Sequence, residues 1–441
     1  MRIHLKTLGC RLNEAELETW ARQFQNEGHT LVHDSQEADL LVFNSCAVTQ
    51  DAVRKSRHLL RKATRENPKA KLVLSGCYAT LNREEAEELG VDLIIANADK
   101  HQLVEIAQRE LALEAMPSAS TAPGESALYR LGRHRAFIKV QDGCRYRCTY
   151  CIVTVARGDE RSRTPDDIID EINRLHQQGI QEAVLTGVHL GGYGSDHQTD
   201  LTQLIAAILE RTGIPRIRLG SLEPWDIPET FMELFGNPRL MPHLHLPLQS
   251  GSDSVLKRMA RRCRTKEFAT LAQHLRDHVP DINITTDLIV GFPGETDAEW
   301  AETLAFVETV GFGNIHVFSY SPRAGTAAAT LPNPIHGDIK KTRSRELHKL
   351  AEKQKHAFAA QYLSHTLPVL WEGVRENAEG THDITGYTPN YLKVGIKLPA
   401  REARQLSYRI TDTRLISLEP DSDTIQGMLV QCPIEQSVEQ T

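Results

Sequence analysis

Over roughly the first 110 residues, short apolar runs alternate with amphipathic stretches. Ile3-His-Leu-Lys-Thr-Leu8, Leu40-Leu-Val-Phe43, Leu72-Val-Leu74 and Leu93-Ile-Ile95 are each followed by apolar residues at helical spacing, the pattern of a parallel α/β layer. Met116-Pro-Ser-Ala-Ser-Thr-Ala-Pro-Gly-Glu125 reads as a linker by composition. Beyond it, β-like runs return at the spacing of βα units: 136–140, 182–186, 216–219, 243–246, 284–290 and 315–320. The intervening helices carry start signals. Thr164-Pro165-Asp166-Asp167 offers a hydroxyl cap and proline at the first helical position, and Thr296 with Glu299 forms a capping-box pattern. Six strands are fewer than the eight that close a barrel, so the pattern predicts an open partial (β/α)6 barrel, with its chemistry at the carboxyl ends of the strands. From Leu367 the chain turns β-rich. Val369-Leu-Trp-Glu372, Tyr391 to Lys397, Leu406-Ser-Tyr-Arg-Ile410 and Thr424 to Val430 predict a small β-barrel. The expected organisation is α/β throughout: an open parallel sheet over 1–115, a linker over 116–133, the partial barrel over 134–363 and the small barrel over 364–441.

Bulk properties narrow the function. A net charge of −7 over 441 residues argues against a wholly basic nucleic-acid binder, so any RNA contact has to come from local patches. Eight cysteines are too sparse for a disulfide scaffold, and reduced thiols imply the cytoplasm. No signal-like segment opens the chain and no apolar run approaches membrane-spanning length, so no membrane association is expected.

Six of the cysteines fall into two triplets. Cys144, Cys148 and Cys151 occupy one short loop directly after the run 136–140. Three thiolates can hold three irons of a cubane cluster, leaving the fourth iron for a non-protein ligand, which makes the loop a reaction centre. A structural zinc site has compatible cysteine spacing, but it needs a fourth ligand and none follows Cys151 closely. Cys10, Cys46 and Cys77 each lie just past a predicted strand in the first third. Since parallel strands share one carboxyl edge, these three should converge and hold a second cluster; buried core cysteines are the plainer alternative.

Small and polar residues follow the other barrel strands. The candidates for contact with a nucleoside-like cofactor are Thr186, Gly187, Ser221, Glu223, Gln249 and Gly291. His189, in a glycine loop, reads as a hydrogen-bonding residue rather than a base. Arg157, Arg161 and Arg163, and the block Lys257, Arg258, Arg261, Arg262, Arg264 and Lys266, are candidate phosphate ligands. The helix after Cys46 carries Arg54, Lys55, Arg57, Arg61, Lys62 and Arg65, either a solvated face or a phosphate grip. In the last segment Tyr387, Tyr391 and Lys393 are candidate RNA contacts, with packing against the core as the alternative. Cys263 and Cys432 have no ligand partners nearby and read as packed thiols.

These residues, taken together, resemble the methylthiotransferases of the radical S-adenosylmethionine (SAM) superfamily over nearly the whole chain. The likeness rests on Thr7-Leu-Gly-Cys10-Arg-Leu-Asn13, Asn44-Ser-Cys46-Ala-Val-Thr49, Ser75-Gly-Cys77, the C-x-x-x-C-x-x-C loop, Arg161-Ser-Arg163, Gln249-Ser-Gly251 and Asp287-Leu-Ile-Val-Gly-Phe-Pro-Gly294. Gly386-Tyr-Thr-Pro-Asn-Tyr-Leu-Lys-Val394 is similar to their TRAM domain, a small RNA-binding barrel. The resemblance implies two [4Fe-4S] clusters, one on Cys144, Cys148 and Cys151 that binds and cleaves SAM, and one on Cys10, Cys46 and Cys77 that delivers sulfur. It also implies a 5′-deoxyadenosyl radical that activates the unreactive C2–H of an adenine, and an electron donor such as flavodoxin or ferredoxin. The segments 186–194 and 216–224 resemble members acting on N6-threonylcarbamoyladenosine beside the tRNA anticodon, within the anticodon stem-loop. Isopentenyladenosine tRNA and a ribosomal protein are the substrates of sister groups, and a non-catalytic zinc RNA-binding protein is the rival outside the enzymes. Thr154 departs from the family pattern, which has proline there; no ligand is lost.

Overall fold

The computed structural model describes residues 1–113, 135–376, 382–419 and 422–430. The predicted linker 116–133 and Cys432 lie outside them. The first unit is a five-stranded parallel sheet, β1 (Arg2–Thr7), β2 (Thr30–Leu31), β3 (Leu40–Ser45), β4 (Lys71–Gly76) and β5 (Leu93–Ile95), in the order β2-β1-β3-β4-β5. The short edge strand β2 was not legible, because two residues carry no period. Central β3 is buried at every position, as expected of a parallel strand covered on both faces.

The second unit is the partial barrel. Its strands are β6 (Arg135–Lys139), β9 (Glu182–Thr186), β10 (Arg216–Leu219), β11 (His243–His245), β12 (Asn283–Val290) and β13 (Asn314–Ser319), and a two-strand ribbon of β7 (Gln141–Asp142) and β8 (Arg161–Ser162) rises beside the cysteine loop. Parallel pairing gives β6-β9-β10 and β11-β12-β13, joined by parallel bridges Ile217–Leu240 and Ser221–His245. The predicted helix starts are present: Thr164 accepts from Asp167 N, and Thr296 and Glu299 close a capping box.

The third unit comprises β14 (Thr366–Trp371), β15 (Arg375–Glu376), β16 (His382–Tyr387), β17 (Lys393–Leu398), β18 (Ile410–Ser417) and β19 (Ile425–Leu429). Pairing of β14 with both β18 and β16 curls the sheet into a small barrel around Trp371. The segment Leu406–Arg409 is not a strand. Ala400–Leu406 is a helix that buries Ala403 and Leu406, and pairing begins at Ile410 after a turn in which Tyr408 has positive φ.

Strand β6 joins the three units. Its odd-numbered residues face outward, following the two-residue period of a strand. Arg135 reaches Glu372 at 2.9 Å and the Tyr391 hydroxyl at 3.0 Å in the third unit. Phe137 packs with Ala15 of the N-terminal helix Arg11–Asn26 and with Val184, beneath the guanidinium of Arg11. The free edge of β6 is covered as well, since Phe137 N donates to Glu18 Oε2 at 3.3 Å.

The third unit docks at the amino ends of the barrel strands, away from the cysteine loop. Arg216 donates to the carbonyls of Tyr387 and Pro368, and Arg218 to that of Pro389 while pairing with buried Glu182. Tyr391 is stacked between His243 and Tyr387, with Arg218 over its ring. The two tyrosines expected to contact RNA are therefore engaged in domain docking; their flat rings and the arginine forks suit a half-buried seam. Lys393 stays at the periphery, paired with Asp423 at 3.3 Å.

Candidate active site between the barrel and the N-terminal domain

The carboxyl ends of β1, β3 and β4 bring Cys10, Cys46 and Cys77 together. Gly76 has φ of 96°, and a Cβ there would sit 2.2 Å from Ser45 O, so only glycine lets the chain before Cys77 press against the chain before Cys46. On the other side Gly9 lies against Cys46, where an added Cβ would come within 2.9 Å of the cysteine Cβ. Burial raises the Cys46 thiol to about 11, with Cys77 and Cys10 adding to the rise and the Val48 amide opposing it.

The barrel loop gathers Cys144, Cys148 and Cys151. Burial pushes Cys144 up to about 12 and Cys151 to about 11, and neighbouring cysteines reinforce both shifts. Backbone amides are aimed at the sulfurs: Tyr146 N lies 3.4 Å from Cys144 Sγ, and the amides of Val153 and Thr154 act on Cys151. Thr149 ties the loop to the carbonyls of Arg258 and Met259. Thr154 donates its hydroxyl to Tyr146 O at 3.0 Å, a tether across the loop. Crowded thiols that resist ionisation alone, with amide donors pointed at them, fit a cationic iron cluster that supplies the missing counter-charge.

No fourth cysteine joins either triplet among the described residues. His189 does come within ligand range of Cys144, together with Glu160. Both of its ring nitrogens are committed, Nδ1 to Glu160 at 2.5 Å and Nε2 to Asp226 at 2.6 Å. Burial opposes the imidazolium, yet the hydrogen bonds to the two carboxylates outweigh it and hold the pKa above its ordinary value. His189 is thus a strut and not a metal ligand. Tyr146 packs on its ring and donates to Asp226 at 3.0 Å.

The other candidates line the barrel mouth to different degrees. Gly187 faces the Gln141 side chain, whose Oε1 accepts from His189 N at 2.9 Å, and Thr186 closes the end of β9. Ser221 bridges to His245, and Gln249, with φ of 78°, is held between Asp287 O and Ile289 N. Glu223 takes a two-pronged bond from Arg261, at 3.0 and 2.6 Å, and Arg261 lies 3.9 Å from Cys148 Sγ. Gly291 is packed against the aliphatic chain of Lys340, so its open Cα accommodates protein.

The basic candidates separate by burial. Arg258 is clamped to Glu299, Arg261 to Glu223, and Arg264 donates to the carbonyls of Arg261 and Cys263, leaving Lys257, Arg262 and Lys266 exposed. Arg163 pairs with Glu171, and Arg161 is exposed. Arg157 is buried. It bonds Glu16 at 3.1 Å, Asp142 at 3.0 Å and Asn13 Oδ1 at 2.8 Å. Lys100 and Lys139 complete this charge cluster and, with Arg157, hold Glu16 far below the ordinary carboxylate range although burial alone would raise it. Asn97 makes the second link, donating to Ala156 O at 2.8 Å while its Nδ2 lies 3.8 Å from Cys77 Sγ.

The flank of the barrel's cysteine loop therefore packs directly on the N-terminal sheet, beside Cys10 and Cys77. The short helix after Cys151 abuts Asn13 and Asn97 of the N-terminal sheet, and Gln50, four residues past Cys46, bonds Ser321 and Pro322 of the loop after β13. Asn13, Glu16 and Asn97 were not read as site residues because the barrel residues they meet are more than 50 positions away. Tyr146 and Glu160 had a usable signal, since one lies inside the cysteine loop and the other shortly after it.

A six-strand partial barrel with C-x-x-x-C-x-x-C after its first strand defines a radical SAM enzyme. The radical SAM superfamily model matches residues 138–307, and the family described as "Uncharacterized protein family UPF0004" matches residues 2–96. The chain is 35% identical over 402 residues to the threonylcarbamoyladenosine tRNA methylthiotransferase MtaB of Bacillus subtilis, covering 89% of each. It is 38% identical over 359 residues to the protein of that name from Thermotoga maritima, covering 80% of this chain and 82% of the relative. A solved radical SAM methyltransferase, TsrM from Kitasatospora setae, shares the fold with a TM-score of 0.56 at 16% identity, over 74% of this chain and 77% of that one. The chain belongs to the radical SAM methylthiotransferases, enzymes that use SAM and two [4Fe-4S] clusters.

Proposed function

We propose that this enzyme inserts a methylthio group at C2 of N6-threonylcarbamoyladenosine next to the tRNA anticodon. The observation that carries the reading is the direct packing of the helix after Cys151 on the N-terminal sheet that bears the other triplet, through Arg157–Asn13 and Asn97–Ala156. The names of the relatives that match over most of the chain support the same substrate. Cys144, Cys148 and Cys151 would hold the cluster that meets SAM, and Cys10, Cys46 and Cys77 the cluster that carries sulfur. When bound, these groups supply the electron that splits SAM and the sulfur that is transferred.

The protein's own residues position, shield and tune. Glu223 and Arg261 fix one wall of the mouth beside Cys148. His189, held by two carboxylates, keeps Tyr146 in place over the loop. Thr186, Gly187, Ser221 and Gln249 offer polar atoms and small side chains along the rim for a nucleoside. The chain would divide into an N-terminal methylthiotransferase domain over 1–115, a linker over 116–133, the radical SAM barrel over 134–363 and a TRAM-like domain over 364–441. A flavodoxin or ferredoxin would deliver the electron, in the cytoplasm. No helix among the described residues is long and apolar enough to cross a membrane.

Nucleoside mass spectrometry of tRNA from a strain lacking this gene tests the substrate. The threonylcarbamoyl nucleoside should accumulate without its methylthio form and regain it on complementation. Loss of methylthiolated isopentenyladenosine instead would reassign the substrate.

A further inference from the structure

The helix Gln50–Glu66 carries a stripe that the chemistry above does not use. Val53, Ser56, Leu60 and Ala63 are buried against the sheet. On another side Arg54, Arg57, His58, Arg61 and Arg65, with Thr64, form one wall of a groove of about 790 Å³ whose other wall is Glu88 and Leu89. At 3.6 residues per turn these five side chains fall within about a third of the helix circumference, and Arg54 to Arg65 span about 16 Å. Acid partners thin out along the stripe. Arg54 shares Asp51 with Lys55, Arg57 meets Glu85, and Arg61 and Arg65 have no ion-pair partner among the described residues.

The position of the stripe matters as much as its charge. Ser56 donates to the carbonyl of Cys46 at 2.9 Å, and Gln50 touches the loop after β13, so the helix starts beside the second cysteine triplet, where the two units meet, and leads away from it. Tyr387 and Tyr391, the aromatic residues available to the third unit's RNA-like motif, are turned against the barrel floor. Guanidinium forks at regular spacing suit phosphate oxygens better than lysines do.

We propose that Arg54, Arg57, Arg61 and Arg65 form a phosphate track that grips the RNA backbone flanking the target nucleoside. This rests on the reading that tRNA is the substrate. The track would carry affinity without sequence preference, as backbone contacts do.

The test measures binding of unmodified tRNA transcript to the full-length, cluster-loaded protein across a salt series. The triple variant R54Q/R61Q/R65Q should bind at least tenfold more weakly at about 0.1 M salt, with the log–log salt slope reduced by about 2. The variant R54K/R61K/R65K should recover most of the affinity. R174Q/R211Q/R276Q, an equal charge change in the last turns of three barrel helices at the end opposite the cysteine loop, serves as the control and should bind like wild type. Equal weakening in the control, or an unchanged slope in the stripe variant, would overturn the track. So would normal tRNA binding combined with slower reduction by an acidic flavoprotein, which would assign the stripe to a protein partner. Failure of the wild type to bind tRNA would sink the substrate reading itself. Should the triple variant misfold, R61Q alone, at an exposed position, should lower the slope by about 1.

Discussion

Arg157 donates to the side-chain oxygen of Asn13 across 2.8 Å, tying the residue six positions after Cys151 to the one three positions after Cys10. The guanidinium also neutralises Glu16 and Asp142, so it joins the two cysteine loops by charge as well as by geometry. Replacing it with Met leaves Glu16 and Asp142 to Lys100 and Lys139 alone and removes charged hydrogen bonds, which should cost about 1.5–3 kcal/mol. A chemical-denaturation midpoint measures that loss. Arg157→Lys keeps the charge but not the fork, and should lower methylthio product more than 5′-deoxyadenosine, a shift in ratio that liquid chromatography reads directly.

The two cysteine triplets should separate by function. Alanine at Cys144, Cys148 or Cys151 abolishes SAM cleavage. Alanine at Cys10, Cys46 or Cys77 leaves 5′-deoxyadenosine formation, removes the methylthio product and lowers iron from about eight to about four per chain, the content of two cubes and of one. Retained methylthiolation in any of the second set would contradict the assignment.

Thr154, where the family pattern has proline, supplies both a hydroxyl tether to Tyr146 O and an amide directed at Cys151. Thr154→Pro should therefore preserve iron content while making the barrel cluster harder to reduce, because one hydrogen bond to a ligating sulfur is lost. Thr154→Ser should leave the potential unchanged. A redox titration followed by electron paramagnetic resonance compares the two.

Glu182 sits fully buried beneath Arg218 and Arg135 at the docking seam. Burial alone would raise its pKa, but these arginines hold it at about 2. A carboxylate depressed in the folded state stabilises the fold above its unfolded pKa of about 4.3 and loses that contribution as pH falls through the folded value. Urea midpoints followed by tryptophan fluorescence should thus fall in wild type from about pH 4.5 downward. Glu182→Gln should start less stable by about 3 kcal/mol and show a weaker decline.

Local pattern carried much of this architecture. The six barrel strands, the Thr164 and Thr296 caps and both cysteine triplets follow from periodicity or from spacing within a few residues. What escaped was long-range or ambivalent. The exposed-looking Arg157 turned out to be buried because Glu16 and Asp142 meet it from separate elements. Tyr387 and Tyr391 carry the same flat rings whether they stack on bases or on His243 and each other, so composition could not separate the two uses. The stretch 406–410 misled because Leu406, Tyr408 and Ile410 alternate as a strand would, whereas a helix end and a positive-φ turn produce the same spacing.

Strand β6 spends its outward side chains on both neighbours, Arg135 on the small barrel and Phe137 on the N-terminal helix. Neither neighbour can leave without exposing a ring or an unpaired cation on that strand. Heating should accordingly melt the molecule in one calorimetric step, with the amide protons of β6 among the last to exchange, and deleting either end should lower the melting temperature of what is left.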